Sequence, residues 1–297
     1  MRISPHDHPS YKFPSPEDFL GRLAEALPSF GAIDWVSSTG STNADLSLRA
    51  QLSRAQQPTP PRPWLLGAHL QTAGKGRAGR PWANEAGSTL MFSCAFATDI
   101  PLAQLPGIAP ALGVSTCLAL RSLFAPQGNQ TDISPLTPLN LKWPNDLQWH
   151  GAKLAGLLIE TAPSSTVVVG MGLNLRGAAA LSAQLGREIA DLGQIEQACN
   201  RSLHPAQLVA HIAQTWQQAL QDYATNGYTA FTHSFDIVDA LAGQSVQVMD
   251  QGKILHQGIA QGTDPLGRLR VMTETGLVPV LVGDVSIRPA HPFKGTP

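Results

Sequence analysis

From Gly74 to Trp82 the chain reads Gly-Lys-Gly-Arg-Ala-Gly-Arg-Pro-Trp, alternating glycine with cations. Glycines let backbone N–H groups converge on an anion, while Lys75, Arg77 and Arg80 supply charge that offsets repulsion between two negative reactants. Phosphate chemistry is the natural inference. The surroundings share the bias: no acidic residue lies between Asp45 and Glu85, whereas Arg49, Arg54 and Arg62 precede the loop. Lys75 is followed by Gly76 rather than Ser or Thr, so this is not a Walker A loop, and it lacks the strand, GxGxxG and helix order of a dinucleotide-binding turn. Taken alone, the segment reads equally well as a solvated basic surface loop.

Three further segments carry polar groups at the ends of apolar runs. Lys142-Trp143-Pro144-Asn145-Asp146 stops a strand at a proline, and its ordinary reading is a turn. Further along this same segment, Lys153 stands at the mouth of the apolar run Leu154–Glu160, where most lysines merely snorkel into water. Ser41-Thr42-Asn43 offers three small hydrogen-bonding side chains, with Ser41 or Thr42 also a candidate N-cap for a helix over 44–49. Gly170-Met171-Gly172-Leu173-Asn174 follows the run Thr166–Val169 and could mark no more than a strand end.

The elements that must hold these groups are legible in outline. Strands are expected at Trp64–Leu70, Thr89–Ala97, Leu139–Lys142, Leu154–Glu160 and Thr166–Met171, implying a mixed sheet. Helical stripes recur at Ile108, Leu112, Ser115, Leu118, Ala119 and Leu123, and at Leu208, Ile212, Trp216, Leu220 and Tyr223; Trp216 and Tyr223 are assigned to packing. A short helical pattern follows a Pro-containing tail at Phe19, Leu20, Leu23 and Leu27. Residues 53–63 and 125–138 read as surface loops. After about residue 237, short alternating runs at Val246/Val248, Leu269/Val271, Val278/Val280 and Val285/Ile287 read as a small β-barrel. The expected division is a tail and short helix over 1–30, a catalytic domain over 31–237 and a small domain over 238–297.

Composition narrows the function classes. With 297 residues, 43% of them hydrophobic, the chain can bury a sizeable core. A formal charge of −1 and a pI near 6.7 offer no global attraction to nucleic acid or anionic membrane. No apolar run approaches the roughly 20 residues of a bilayer-spanning helix, and the N-terminal residues, including His6, Asp7 and His8, lack the pattern of an export signal. Cys94, Cys117 and Cys199 are odd in number and widely spaced, which fits a reducing compartment. A cytoplasmic protein without DNA or membrane partners is expected.

In this order and at these separations, the four segments resemble the catalytic core of biotin protein ligases. The family loop reads approximately G-R-G-R-x-G-R-x-W; here Lys75 replaces its first arginine, keeping the charge but not the planar fork. Lys142–Asp146 matches K-W-P-N-D, Lys153–Gly156 matches K-L-A-G, and Gly170–Asn174 matches G-x-G-x-N. The resemblance covers roughly residues 31 to 290. Gly243, Val246 and Gly283–Arg288 resemble its C-terminal SH3-like domain. It implies an α+β fold, a mixed-sheet class II synthetase-like or biotin/lipoyl ligase catalytic domain followed by a small SH3-like β-barrel. With a short tail in place of a winged helix-turn-helix, the chain is similar to the monofunctional members.

The same resemblance implies that ATP and biotin are substrates, with Mg2+ accompanying ATP, and that a biotin carboxyl carrier protein or domain is the acceptor of a monomeric or homodimeric enzyme. It gives Lys153, Arg77 and Asp146 catalytic roles. Ser41, Thr42, Asn43, Gln71, Gly74, Lys75, Gly76, Arg77, Lys153 and Gly156 would bind biotin. Lys75, Arg77, Arg80, Trp82, Lys142, Asn145 and Asn174 would face ATP or the adenylate. No residue is assigned to metal, with Glu160 in reserve. The loop would close over the adenylate. A lipoyl or octanoyl ligase of the same fold, and a non-catalytic biotin or nucleotide sensor, are the rivals.

Overall fold

The computed structural model describes residues 13–53, 61–125, 136–250, 252–281 and 286–289, the last four for backbone only. His6, Asp7, His8, Arg54, Gly283, Val285 and most of the two Pro-rich loops lie outside the described residues.

Seven strands form one sheet in the order β1-β2-β3-β7-β6-β5-β4. They are β1 (Ala32–Val36), β2 (Trp64–Ala68), β3 (Thr89–Ala97), β4 (Leu139–Lys142), β5 (Asp146–Trp149), β6 (Ala152–Ala162) and β7 (Thr166–Asn174). β1 and β2 pair in parallel; the other neighbours are antiparallel, so the sheet is mixed as the sequence suggests. Two of these strands escape a reading of the sequence. β1 is five residues with one buried side chain, and β5 grows straight out of the Pro-Asn-Asp turn that conceals it.

Helices cover both faces unequally. Helices α1 (Pro16–Ala26), α3 (Ile108–Phe124) and α6 (Pro205–Asn226) pack over one face, against a core containing Phe92, Val169, Leu173 and Trp216. Trp216 stacks on Phe92 with ring centroids 5.1 Å apart and donates its indole N–H to Thr116 Oγ1 at 2.8 Å, so this stripe does pack. Helix α2 (Thr42–Leu52) lies on the other face, where Leu46 and Ala50 meet Trp64, Leu66 and Val168. The short helices α4 (Ala178–Leu185), α5 (Leu192–Cys199) and α7 (Thr232–Val238) fill connections.

One expectation is corrected here. Leu102–Phe124 is long and apolar enough, at mean hydropathy 1.4, to pass as a membrane span by composition. It is a core element instead, because 78% of its apolar window is buried inside the protein.

Five C-terminal strands, β8 (Ser245–Asp250), β9 (Lys253–Thr263), β10 (Leu269–Thr273), β11 (Gly276–Val280) and β12 (Ser286–Pro289), make an antiparallel sheet ordered β11-β10-β9-β8-β12. β9 has no run of alternating apolar residues, and its pairing on both sides with β8 and β10 decides its conformation. The sheet is anchored to the larger one. Trp143 donates its buried N–H to Gly267 O at 2.9 Å, and Ala240 N–H donates to Leu141 O at 3.0 Å.

Asp239 sits at this junction. Its Oδ1 accepts from Leu241 N–H at 2.8 Å, while Oδ2 is buried and has no partner among the described residues. Burial pushes its carboxyl up to about 6, outweighing the Leu241 bond, with Asp236 adding in the same direction. The folded chain therefore holds this proton more tightly than the unfolded chain, whose carboxyl titrates near 4. The stability it contributes is present below about pH 4 and lost as pH rises through about 6. Between pH 4 and pH 7, the unfolding free energy of Asp239→Asn measured in urea should gain on the parent by about 2 kcal/mol; parallel pH profiles would refute the assignment.

Candidate active site

A strand exposes alternate residues to opposite faces. Along β3, β7 and β6 one parity holds the apolar core, with Phe92, Cys94, Val169, Met171, Leu173 and Leu157. The opposite parity on the α2 side carries a patch of three glycines, Gly170 between Ser93 and Leu158, and Gly172 between Met91 and Gly156. A patch of sheet without Cβ atoms leaves a depression, and here it floors a cavity of about 570 Å3. Substitution would fill it, since a Cβ on Gly170 would lie 2.1 Å from Asn43 Oδ1 and one on Gly172 2.4 Å from Trp82 Cε2.

Lys153 reaches this floor through a backbone irregularity. Three residues from Gly156, it would face the core in a regular strand. The pairing of β5 with β6 shifts by one between Leu147 and Gln148, leaving Leu154 as an extra residue; Lys153 then pairs with Gln148, on the same side as Asp146. Its ammonium donates to Asp146 Oδ1 at 2.7 Å and stands 5.2 Å from the Trp82 ring centroid. Asp146 is itself paired with Gly156 across the strands, so bulge and turn bring the two charges together.

The turn that delivers Asp146 is fixed from both sides. Asn145 donates its amide to Leu157 O and accepts from Leu157 N–H through its backbone carbonyl at 3.0 Å. Its Oδ1 is thereby turned toward Arg77, whose guanidinium donates to it at 3.4 Å. Trp143 forms the apolar stem beneath, 2% exposed, with the C-terminal sheet holding its N–H.

The wall opposite is the start of α2. Ser41 is the N-cap, accepting from Ala44 N–H at 3.5 Å, so the helix begins two residues before the expected Ala44. Thr42 N–H donates to Gln71 Oε1 at 2.8 Å, and its hydroxyl lies 2.6 Å from Ser93 Oγ. Asn43 is held on both sides of its amide, donating to Glu160 Oε2 at 2.8 Å and accepting from Ser93 Oγ at 2.6 Å.

The basic loop folds on itself. Gly76 N–H donates to Arg80 O at 2.7 Å and Trp82 N–H to Gly74 O at 2.9 Å, with Ala78 and Gly79 at positive φ in the tip. Of the amides of residues 74–77, that of Gly76 is thereby engaged by Arg80. Asn84 ties the base of the loop, accepting from Gln71 N–H at 3.1 Å and donating to Trp82 O at 3.1 Å. Arg49 and Arg62 do not join the loop's charge: both guanidinium groups lie over the Trp64 ring, and Arg49 pairs with Asp34.

Of the residues chosen from sequence, all but two line this cavity: Ser41, Thr42, Asn43, Gln71, Lys75, Gly76, Arg77, Arg80, Trp82, Lys142, Asn145, Asp146, Lys153 and Gly156. Gly74 and Asn174 do not. Asn174 is buried; its Nδ2 donates to Lys153 O at 3.3 Å and Ala190 O at 3.1 Å, securing the end of β7, while its Oδ1 is buried with no partner among the described residues. Ser93 and Arg187 line the cavity without having been selected. Ser93 had a signal in the sequence, as a lone hydroxyl in the middle of the apolar strand Thr89–Ala97; Arg187 had none.

Residues 36–174 match the biotin/lipoate A/B protein ligase family, and residues 242–288 match the biotin protein ligase C terminal domain. The biotin--[acetyl-CoA-carboxylase] ligase of Mycobacterium tuberculosis is 34% identical over 267 residues, covering 89% of this chain and 92% of that one. The chain belongs to the biotin protein ligase family. The corresponding ligase of Paracoccus denitrificans is 30% identical over 79% of this chain and 91% of its own. In fold, the chain is similar to a biotin protein ligase from Aquifex aeolicus solved with biotin and ATP, at TM-score 0.68 and 24% identity, covering 88% of this chain and all of that one.

In this biotin protein ligase, Trp82 lies flat over the glycine patch, with Cζ3 3.3 Å from where a Gly156 Cβ would stand and its buried N–H unpaired among the described residues. Gly172→Ala should therefore fold but displace the indole. Its tryptophan emission should differ from that of the parent, and the difference should vanish in a Trp82→Phe background; a difference that persists there would place the contact elsewhere.

Proposed function

We propose that this chain activates biotin with ATP in the cavity above Gly156 and Gly172, and then biotinylates a lysine of a biotin carboxyl carrier protein or domain. Family membership supports the reaction. The Mycobacterium and Paracoccus relatives are named as ligases acting on acetyl-CoA carboxylase, and the Aquifex neighbour was solved with biotin and ATP. The observation that carries the proposal is the Lys153–Asp146 ion pair on a floor of glycines, rimmed by Lys75, Arg77, Arg80, Lys142 and Arg187.

In the first half-reaction a biotin carboxylate oxygen bonds to the α-phosphorus of ATP, the bond to the bridging oxygen breaks, and pyrophosphate leaves. Two anions must meet, so the cations at the rim lower the barrier most where charge builds up. Lys153 can exchange part of its bond with Asp146 for the carboxylate and later for the acyl-phosphate oxygens. The apolar strand behind it and the Trp82 ring keep water away, which strengthens that attraction. Trp82 also offers a flat face to a thioether ring or a base. Mg2+, arriving with ATP, would neutralise phosphate charge, with phosphate oxygens and water as ligands; among the described residues no cluster of three His, Cys, Asp or Glu side chains could hold a metal.

In the second half-reaction the carrier lysine nitrogen bonds to the acyl carbon, the carbon–oxygen bond to phosphate breaks, and AMP leaves with that electron pair. The amine must lose a proton. Asp146, released from Lys153 when the adenylate takes that ammonium, is placed to accept it. We place the enzyme in the cytoplasm: its three cysteines are free, and burial pushes the Cys117 thiol up to about 12 and Cys94 well above its ordinary value.

The test incubates the protein with ATP, Mg2+, either biotin or lipoate, and a carrier domain, and measures pyrophosphate and carrier mass. A biotinyl mass gain is expected; a gain with lipoate alone would overturn the assignment. Lys153→Ala should slow pyrophosphate release by roughly a hundred- to a thousandfold, the usual cost of one charged donor at a developing anion. Asp146→Asn should slow carrier acylation more than adenylate formation, as read by single-turnover transfer from purified biotinyl-5'-AMP.

A further inference from the structure

Along the cavity wall runs a chain of hydrogen bonds whose direction is fixed at its far end. Glu160 Oε2 accepts from Asn43 Nδ2 at 2.8 Å, and Leu158 O accepts from the same nitrogen at 3.3 Å. A carboxylate and a carbonyl can only accept, so the Asn43 amide has one orientation, with Oδ1 facing Ser93. Ser93, completely buried, has a single hydroxyl proton and donates it to Asn43 Oδ1 at 2.6 Å. Its remaining neighbour is the Thr42 hydroxyl, 2.6 Å away; with the serine proton committed, the threonine proton goes to Ser93 Oγ at this short distance or to Gln71 Oε1 at 3.3 Å, and in either case it is used within the wall. What Thr42 Oγ1 has left for a ligand is a lone pair. Beside it, Gln71 Oε1 is taken by Thr42 N–H, which leaves the Gln71 Nε2 donor without a bond among the described residues.

We infer that Glu160, acting through Asn43 and Ser93, polarises the Thr42 hydroxyl so that the pocket presents an acceptor next to a donor, the complement of an N–H beside a C=O. Glu160 and Ser93 are then positioning residues that set ligand specificity, and Asn43 serves as the link between them rather than as a ligand contact. A urea edge satisfies this pair. A carbamate edge, with oxygen in place of that N–H, sets two lone pairs against each other, and a buried clash of this kind discriminates strongly. The inference rests on biotin being the ligand of the cavity.

The experiment measures pyrophosphate release while titrating biotin and each of the two analogues in which one ring N–H is replaced by oxygen, using the full chain and its Ser93→Ala and Glu160→Gln variants. In the parent, the analogue with oxygen facing Thr42 should be disfavoured in kcat/KM by at least about a hundredfold. Ser93→Ala removes the nearer of the threonine's two acceptors and leaves only Gln71 Oε1 at 3.3 Å, a long contact from which the proton can turn toward the ligand. The KM for biotin should rise about tenfold with kcat and the KM for ATP within twofold of the parent, while discrimination against that analogue falls at least tenfold. Glu160→Gln should move the same ratio the same way but less, because Leu158 O still holds Asn43.

A purely structural role would weaken urea and carbamate ligands together. Unchanged ratios for both analogues in both variants would therefore overturn the inference, as would a fall in kcat with an unaltered KM for biotin. If Ser93→Ala does not fold, as judged by its thermal transition, the ratio in Glu160→Gln decides alone. A parent that releases no pyrophosphate with biotin would instead refute the proposed reaction, and this inference with it.

Discussion

A patch of three glycines on one sheet face is the constraint on which the rest of this structure depends. Gly156, Gly170 and Gly172 occupy adjacent positions on β6 and β7, and the space they leave is shared by the Trp82 indole and the Asn43 amide. A close-packed interior ordinarily has no such depression. This one survives because the other parity of the same strands is densely filled and holds the backbone in register without help from the bare side. Rigid floor and chemically varied walls are a division of labour: strands set position to within a fraction of an ångström, and helix start, loop and turn supply the groups.

Electrostatics at the floor follow from the bulge at Leu154. It turns a lysine that alternation would bury toward a carboxylate, 17% exposed on the lysine side and 30% on the aspartate side. A pair at that depth is neither as weak as a surface salt bridge nor as dearly desolvated as a fully buried one. It can be broken when a ligand anion replaces the aspartate, which is what a residue needs if it is to hold substrate and then let go.

The sequence made much of the site legible because its groups sit where patterns break: cations between glycines, Pro-Asn-Asp after a strand, Lys153 ahead of an apolar run. The segments matched a family jointly, and fourteen of the chosen residues line one cavity. What stayed hidden has physical reasons. β1 and β5 are too short for periodicity to speak, and β9 acquires its conformation from two partners. Asn174 stands outside the cavity lining because backbone carbonyls from two other segments hold its amide nitrogen, contacts between segments far apart in sequence that carry no local signature. Arg187 comes near the cavity only because the chain after α4 returns beside Lys153, a contact between residues with no local signature. Glycines permit many conformations, so the sequence does not tell that the Gly76 amide closes the loop on Arg80 O.

The single bond from the Trp143 indole to Gly267 O has a further consequence for how the molecule comes apart. Trp143 is buried, so parting it from the C-terminal sheet would exchange this bond for one to water, at a net cost of about 0.5 to 1.5 kcal/mol, in addition to the apolar surface uncovered. The Pro144–Asp146 turn rests on that indole, so the two sheets cannot open independently without loosening the place where charge is handled. Loosening of the smaller sheet would thereby reach the turn, and the shape of the cavity depends on how firmly the two sheets are held together.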